Sequence, residues 1–226
     1  MKYRNKLLIA SAVVLAAMLA AAAWAWIVLP TGAQVPIHWN FNGQVDNYGS
    51  KAFGLLMAPV VVILITGLMM ALPYFEPRRA HLMQSSKLYA TVWLGLLGMM
   101  ALVHADVILT ATGIYSGSIK LPLVAVGVLF IVLGNYLGKT RSTFLMGIRT
   151  PWTLSSELSW AKTHRLGGWL FVTLGIVVIV TTFAAPKLLL PVILGGVLGL
   201  VVVVTVYSYI VWRGDPNKQT GARPAA

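Results

Sequence analysis

Apolar residues fall into six long runs separated by polar connections, at roughly 7–29, 52–72, 88–110, 121–137, 167–185 and 188–212. Each is about 17 to 25 residues long, enough to cross a hydrocarbon core about 30 Å thick as a helix. The pattern predicts an all-α, polytopic membrane protein: one membrane domain over residues 1–226 with six transmembrane helices. The first run has a basic start like that of a signal peptide. Its apolar length exceeds the roughly 7 to 15 residues of a cleaved core, so an uncleaved anchor is expected.

Charge orients the bundle. Threading the runs back and forth puts three basic residues in the N-terminal tail, three in the second connection, five in the fourth and three in the C-terminal tail, fourteen of the 17 Lys and Arg residues on one side. The other side receives only Lys51, Lys120 and Lys187. The positive-inside bias then predicts both termini in the cytoplasm, an extracellular loop at 30–51 and a cytoplasmic loop at 139–165. A net charge of +12 might suggest nucleic acid as a partner. The basic residues sit in short juxtamembrane segments without interleaved aromatics, so direct nucleic-acid binding is not expected and anionic membrane lipids are the better match. With 58% apolar and 10% charged residues a soluble globule is excluded, and the absence of cysteine excludes disulfides, thiolate metal sites and Cys nucleophiles.

Two connections are long and chemically rich, and function concentrates in such segments. The outer one, PTGAQVPIHWNFNGQVDNYGSK, is turn-rich and too short for a separate domain. The inner one reads KTRSTFLMGIRTPWTLSSELSWAKTHR. Thr150-Pro151 biases its backbone extended, and Thr153, Ser155 or Ser156 is placed to cap a helix running into the fifth span, with Glu157 in the first turn. Glu157, Trp160 and His164 share one helix face, which predicts either an interfacial helix or a recognition surface closed against Arg149 and Trp152 of a strand-like segment. Arg149 and Glu157 are then within reach as an ion pair, and Phe144, Trp152 and Trp160 predict an ordered loop. His81 in the second connection reads as a solvated interface residue. Gly134/Gly138 and Gly195/Gly199 are GxxxG pairs that permit close helix contact, a pattern common by chance.

The spans carry two ionisable groups, His104 and Asp106, near the outer end of the third helix. They fit a hydrated or hydrogen-bonded interface pair. Joined to His38 and Asp46 of the outer loop, they would instead offer two imidazoles and two carboxylates to a divalent cation such as zinc, the basis of a competing reading as a metal-binding membrane enzyme or small transporter. No HExxH-type spacing supports it, His104 and Asp106 point about 200° apart on a helix, and no Ser-His-Asp arrangement or phosphate loop is present, so catalytic residues stay unassigned and no cofactor is expected.

The outer VPIHWNFNGQVDNYGSK and the inner GNYLGKTRSTFLMGIRTPWTLSSELSWAKTHRLGGWLF resemble the SdpI family, bacterial membrane proteins named for a sporulation-delay toxin immunity protein. The outer signature maps onto Pro36, His38, Trp39, Asn40, Gly43, Asp46 and Lys51. The inner one maps onto Asn135, Gly147, Ile148, Arg149, Thr150, Pro151, Trp152, Thr153, Trp160, Thr163, His164 and Gly167. The resemblance implies a multi-pass protein of the bacterial inner membrane that protects its cell against a secreted peptide toxin and, in some members, holds a small transcriptional repressor at the membrane.

Overall fold

The computed structural model describes residues 3–40, 44–115 and 120–219. Six helices in it are long and apolar enough to cross a membrane, within a few residues of the runs read from the sequence except that the fifth begins ten residues earlier, at Glu157. They are α1 (Arg4–Val28), α2 (Lys51–Phe75), α4 (Ser86–Ala111), α5 (Lys120–Leu137), α7 (Glu157–Ala184) and the last span, a 3-10 turn (Pro186–Leu188) leading into α8 (Leu189–Arg213). Two short helices, α3 (Arg79–Gln84) and α6 (Pro151–Leu154), lie in the connections.

The six-span helical architecture holds, and the outer loop, read as turn-rich, carries regular structure of its own. The outer loop is a β-hairpin: β1 (Gln34–Trp39) pairs antiparallel with β2 (Val45–Ser50), with register shifts around His38. It stays attached because Val35 is fully buried against α2. A Cβ on Gly54 would lie 2.5 Å from the Val35 side chain, so strand and helix approach at glycine distance. Asn40 closes the turn, its side-chain oxygen accepting from the Gln44 N–H at 3.0 Å.

The interior has two apolar clusters along α1, α2 and α4. One surrounds Val62, Tyr89, Trp93 and Leu97, and the other joins Ala22, Ala25, Val35, Leu55, Val107 and Ile108. Two buried polar groups are satisfied between helices: Trp93 Nε1 donates to Ser11 Oγ at 2.9 Å and the Tyr89 hydroxyl donates to the Met69 carbonyl. The most extensive helix pairing is α5 with α7. Its basis is glycine on both sides: a Cβ on Gly134 would meet the Gly168 carbonyl at 2.5 Å, and one on Gly127 the Gly175 carbonyl at 2.8 Å. The Gly134/Gly138 pair therefore serves contact within the chain, whereas among the described residues nothing would lie within 4 Å of a Cβ added at Gly195 or Gly199.

The bundle has two unlike ends. The hairpin sits at one, where Lys51 Nζ donates to the Leu29 carbonyl at 2.6 Å and lies 4.9 Å from the Trp26 ring, tying the start of α2 to the end of α1. The start of α1, the 76–85 connection, the 139–156 segment and residues 214–219 gather at the other, called here the loop face.

Candidate functional site

The loop face is organised by a buried carboxylate. Glu76 ends α2, is only 4% exposed, and accepts from three backbone N–H groups: Arg78 at 2.9 Å, Phe144 at 3.0 Å and Leu145 at 2.8 Å. It draws the 139–156 segment onto the bundle as a strap. Arg78 holds the strap further along, donating to Ser142 Oγ and, at 3.1 Å, to the Leu154 carbonyl, with its guanidinium over the Phe144 ring. His81 is not a free interface residue, because its Nδ1 donates to the Ser142 carbonyl at 2.8 Å.

The strap then turns at Gly147, whose φ is +114°, and lies on two stacked rings. Trp160 and His164, both 1% exposed, stand one turn apart on α7 with ring centroids 3.9 Å apart. His164 Nε2 accepts from the Ile148 N–H at 2.9 Å and its Nδ1 donates to the Trp160 carbonyl at 2.8 Å, so the imidazole is the neutral Nδ1–H tautomer. Trp160 Nε1 donates to the Thr140 carbonyl at 2.9 Å. Of the predicted α7 face, Trp160 and His164 receive the strap and Glu157 does not.

Two finer expectations do not hold. Arg149 and Glu157 do not pair: Arg149 Nη1 donates to the Phe144 carbonyl at 2.5 Å, and Glu157 is exposed at the first position of α7. The sole ion pair among the described residues is His38 with Asp46. The segment carrying Trp152 is not strand-like either. Thr150 is extended as expected before proline, but it caps the helical turn α6 through a reciprocal box with Thr153. Thr150 Oγ1 also contacts Ser208 Oγ at 3.0 Å, and Trp152 packs edge-on to Tyr209 at 5.2 Å, fastening the strap to α8. Ser156 is the residue that caps α7, accepting from the Ser159 N–H at 2.9 Å. Thr163 is fully buried.

Residues 215–219 complete the loop face. Ser156 Oγ donates to Asp215 Oδ2 at 2.5 Å, the Asn217 N–H donates to Asp215 Oδ1 at 2.9 Å, and the Gln219 N–H donates to the Ser155 carbonyl at 2.8 Å. The Ser156 hydroxyl first and the Asn217 N–H second hold the Asp215 carboxyl below its ordinary range. Between tail, strap and α3 lies a cavity of about 470 Å³ lined by Arg78, His81, Ser155 and Asp215 among others.

At the hairpin end the four candidate ligands divide. His38 Nδ1 lies 2.5 Å from Asp46 Oδ1, both exposed on the hairpin. His104 is buried in α4 with Nε2 3.0 Å from the Leu55 carbonyl, and Asp106 is fully buried with neither oxygen partnered among the described residues. They are thus not hydrated interface residues. Among the described residues no three His, Asp or Glu side chains are grouped to hold a metal ion. Trp39 is half-buried against the second apolar cluster, and Gly43 lies outside the described residues.

Glu76, Arg78, Ser142, Ser208 and Asp215 are the site residues that sequence reasoning missed. A signal existed for the two carboxylates: the chain has only five acidic residues, and those two directly follow or closely follow the ends of apolar spans.

Residues 139–211 match the model of the SdpI/YfhL protein family, and residues 13–63 match a domain of unknown function, DUF1648. The first match encloses the strap, its ring stack and most of α8; the second encloses the hairpin. Immunity protein SdpI of Bacillus subtilis (strain 168) is 26% identical over 179 residues, 78% of this chain and 82% of that protein. No solved structure matches the chain.

Proposed function

We propose, for a multi-pass membrane protein that carries an SdpI family segment, a role as an immunity protein that protects its own cell against a secreted peptide toxin. The observation that carries this reading is the similarity to an immunity protein over 78% of the chain. The exposed hairpin residues His38, Asp46 and Tyr48 offer the toxin a polar and aromatic surface, and the strap gives the opposite face a fixed shape. A small repressor held on the loop face is the finer reading. It rests on the family resemblance, and the order of the strap suits it. The enzyme or transporter alternative draws no support from the separated His38–Asp46 and His104 arrangements.

Orientation follows from the charge asymmetry: loop face in the cytoplasm, hairpin outside, in the bacterial inner membrane. Because the chain has no cysteine, single cysteines at Tyr48 and Glu157 should label from opposite sides. Labelling of both from one side would overturn the orientation.

Expression in a toxin-sensitive cell should confer survival. Arg149→Ala removes one exposed hydrogen bond, costs about 1 kcal/mol, and should leave insertion intact while lowering protection; His38→Ala should lower protection without affecting the loop face. Unchanged protection by both variants at matched membrane abundance would acquit these residues. A native chain that protects against no related toxin would sink the function itself.

A further inference from the structure

On the flank of the bundle, where α5 meets the start of the strap, α5 and α7 enclose a groove of about 410 Å³. Its floor is the glycine contact of Gly134 with Gly168, and Gly138 continues it, a Cβ there lying 3.3 Å from Arg165 Cα. Four side chains ring the opening: Asn135, Lys139, Arg165 and Trp169. All four are exposed, Trp169 to 70%. Lys139 lies 5.7 Å from the Tyr136 ring, while Arg165 and the Asn135 amide make no hydrogen bond or ion pair among the described residues.

The charge balance selects the occupant. None of the chain's five acidic residues lines the groove. Glu76, Glu157 and Asp215 belong to the strap and the tail contacts, and Asp46 and Asp106 lie at the hairpin end. Two uncompensated cations and an amide donor therefore face a groove at the depth where α5 leaves the apolar zone. A guanidinium donates to two phosphate oxygens in parallel, an ammonium serves as a point charge, and an exposed Trp favours the headgroup boundary. The glycine floor runs from these donors toward the bilayer interior past Val172, leaving space for an acyl chain.

We propose that this groove is a binding site for one anionic phospholipid, its phosphate held by Arg165, Lys139 and Asn135 and its chain laid along Gly134 and Gly168. The site shares only Lys139 with the strap and does not depend on the immunity reading. Basic pockets between membrane helices bind acidic headgroups in this manner.

Native mass spectrometry of the full chain in detergent tests it, with phosphatidylglycerol and phosphatidylcholine titrated separately. One phosphatidylglycerol should be retained with about tenfold or greater preference. Lys139→Gln with Arg165→Gln should reduce that retention about tenfold or more, and Asn135→Leu about threefold, with the melting transition unchanged. Arg4→Gln with Arg213→Gln, which removes equal charge from the same end, should change it less than about twofold. Should the first double variant fail to fold, Asn135→Leu and Arg165→Lys decide, each expected to lower retention. Equal retention of the two lipids, or an equal loss from the control variant, would overturn the site. So would displacement by inorganic phosphate alone, which would assign the cations to a free anion, or displacement by a second copy of the chain.

Discussion

Glu76→Ala should release the strap, destabilising the loop face by about 3–5 kcal/mol and abolishing protection. One carboxylate accepts from the N–H groups of Arg78, Phe144 and Leu145 while 4% exposed. Hydrogen bonds to a charged acceptor contribute about 1.5–3 kcal/mol each, and truncation leaves buried donors without partners. The contributions overlap, so the sum is capped at the value typical of breaking one buried charged cluster. Glu76→Gln keeps an acceptor oxygen but replaces the other with a donor facing the same N–H groups, and should cost about half as much. Hydrogen exchange of the Phe144 and Leu145 amides measures the effect directly. Exchange as slow in Glu76→Ala as in the native chain would show that the strap is held by something else.

Gly147→Ala should be nearly as damaging, at about 3 kcal/mol or more. Its φ of +114° lies where an L side chain is strained, which alone costs about 1–3 kcal/mol. Steric conflict adds to this, because the new Cβ would lie 2.5 Å from His164 Nε2 and 2.8 Å from Trp160 Cη2. Both rings are 1% exposed and hydrogen-bonded, so neither can retreat without giving up a partner. Either the strap lifts, losing the Ile148 N–H to His164 bond, or the ring stack shifts. The change should lower the melting transition and raise protease cleavage between residues 139 and 150, while insertion of the six spans is unaffected. A melting transition and protection equal to those of native protein would mean that the strap does not rest on the ring stack.

These two residues also show where local reading stops. Gly147 was legible as part of a motif, but nothing in its neighbourhood specifies that it turns the chain over Trp160 and His164. Glu76 stood out only as one of five acidic residues, and its role could not be read because two of its three partners lie 68 and 69 positions away. Arg149 and Glu157 illustrate the opposite error. Opposite charges eight positions apart read as a pair, yet the turn at Gly147 and the capped turn at Pro151 send Arg149 back to the Phe144 carbonyl. The hairpin escaped for a related reason. Only Val35 and Pro36 of its strands are buried, so alternation is too weak to announce a strand, and its attachment depends on Gly54 in the next helix.

By itself the sequence determined the six spans and narrowed the cap that starts α7 to Thr153, Ser155 or Ser156. A bilayer demands long apolar runs with all backbone hydrogen bonds made internally, and capping acts over three residues, so each signal is local and dense. Tertiary structure alone decided that Glu76 and Arg78 bind the strap, that His164 accepts from Ile148, that Asp215 anchors the tail, and that His38 and His104 make separate contacts. Those choices depend on which helices become neighbours; in this chain glycine faces on α5 and α7 and a few buried polar atoms set that arrangement, and the GxxxG spacing of Gly134 and Gly138 did not say which helix would meet them.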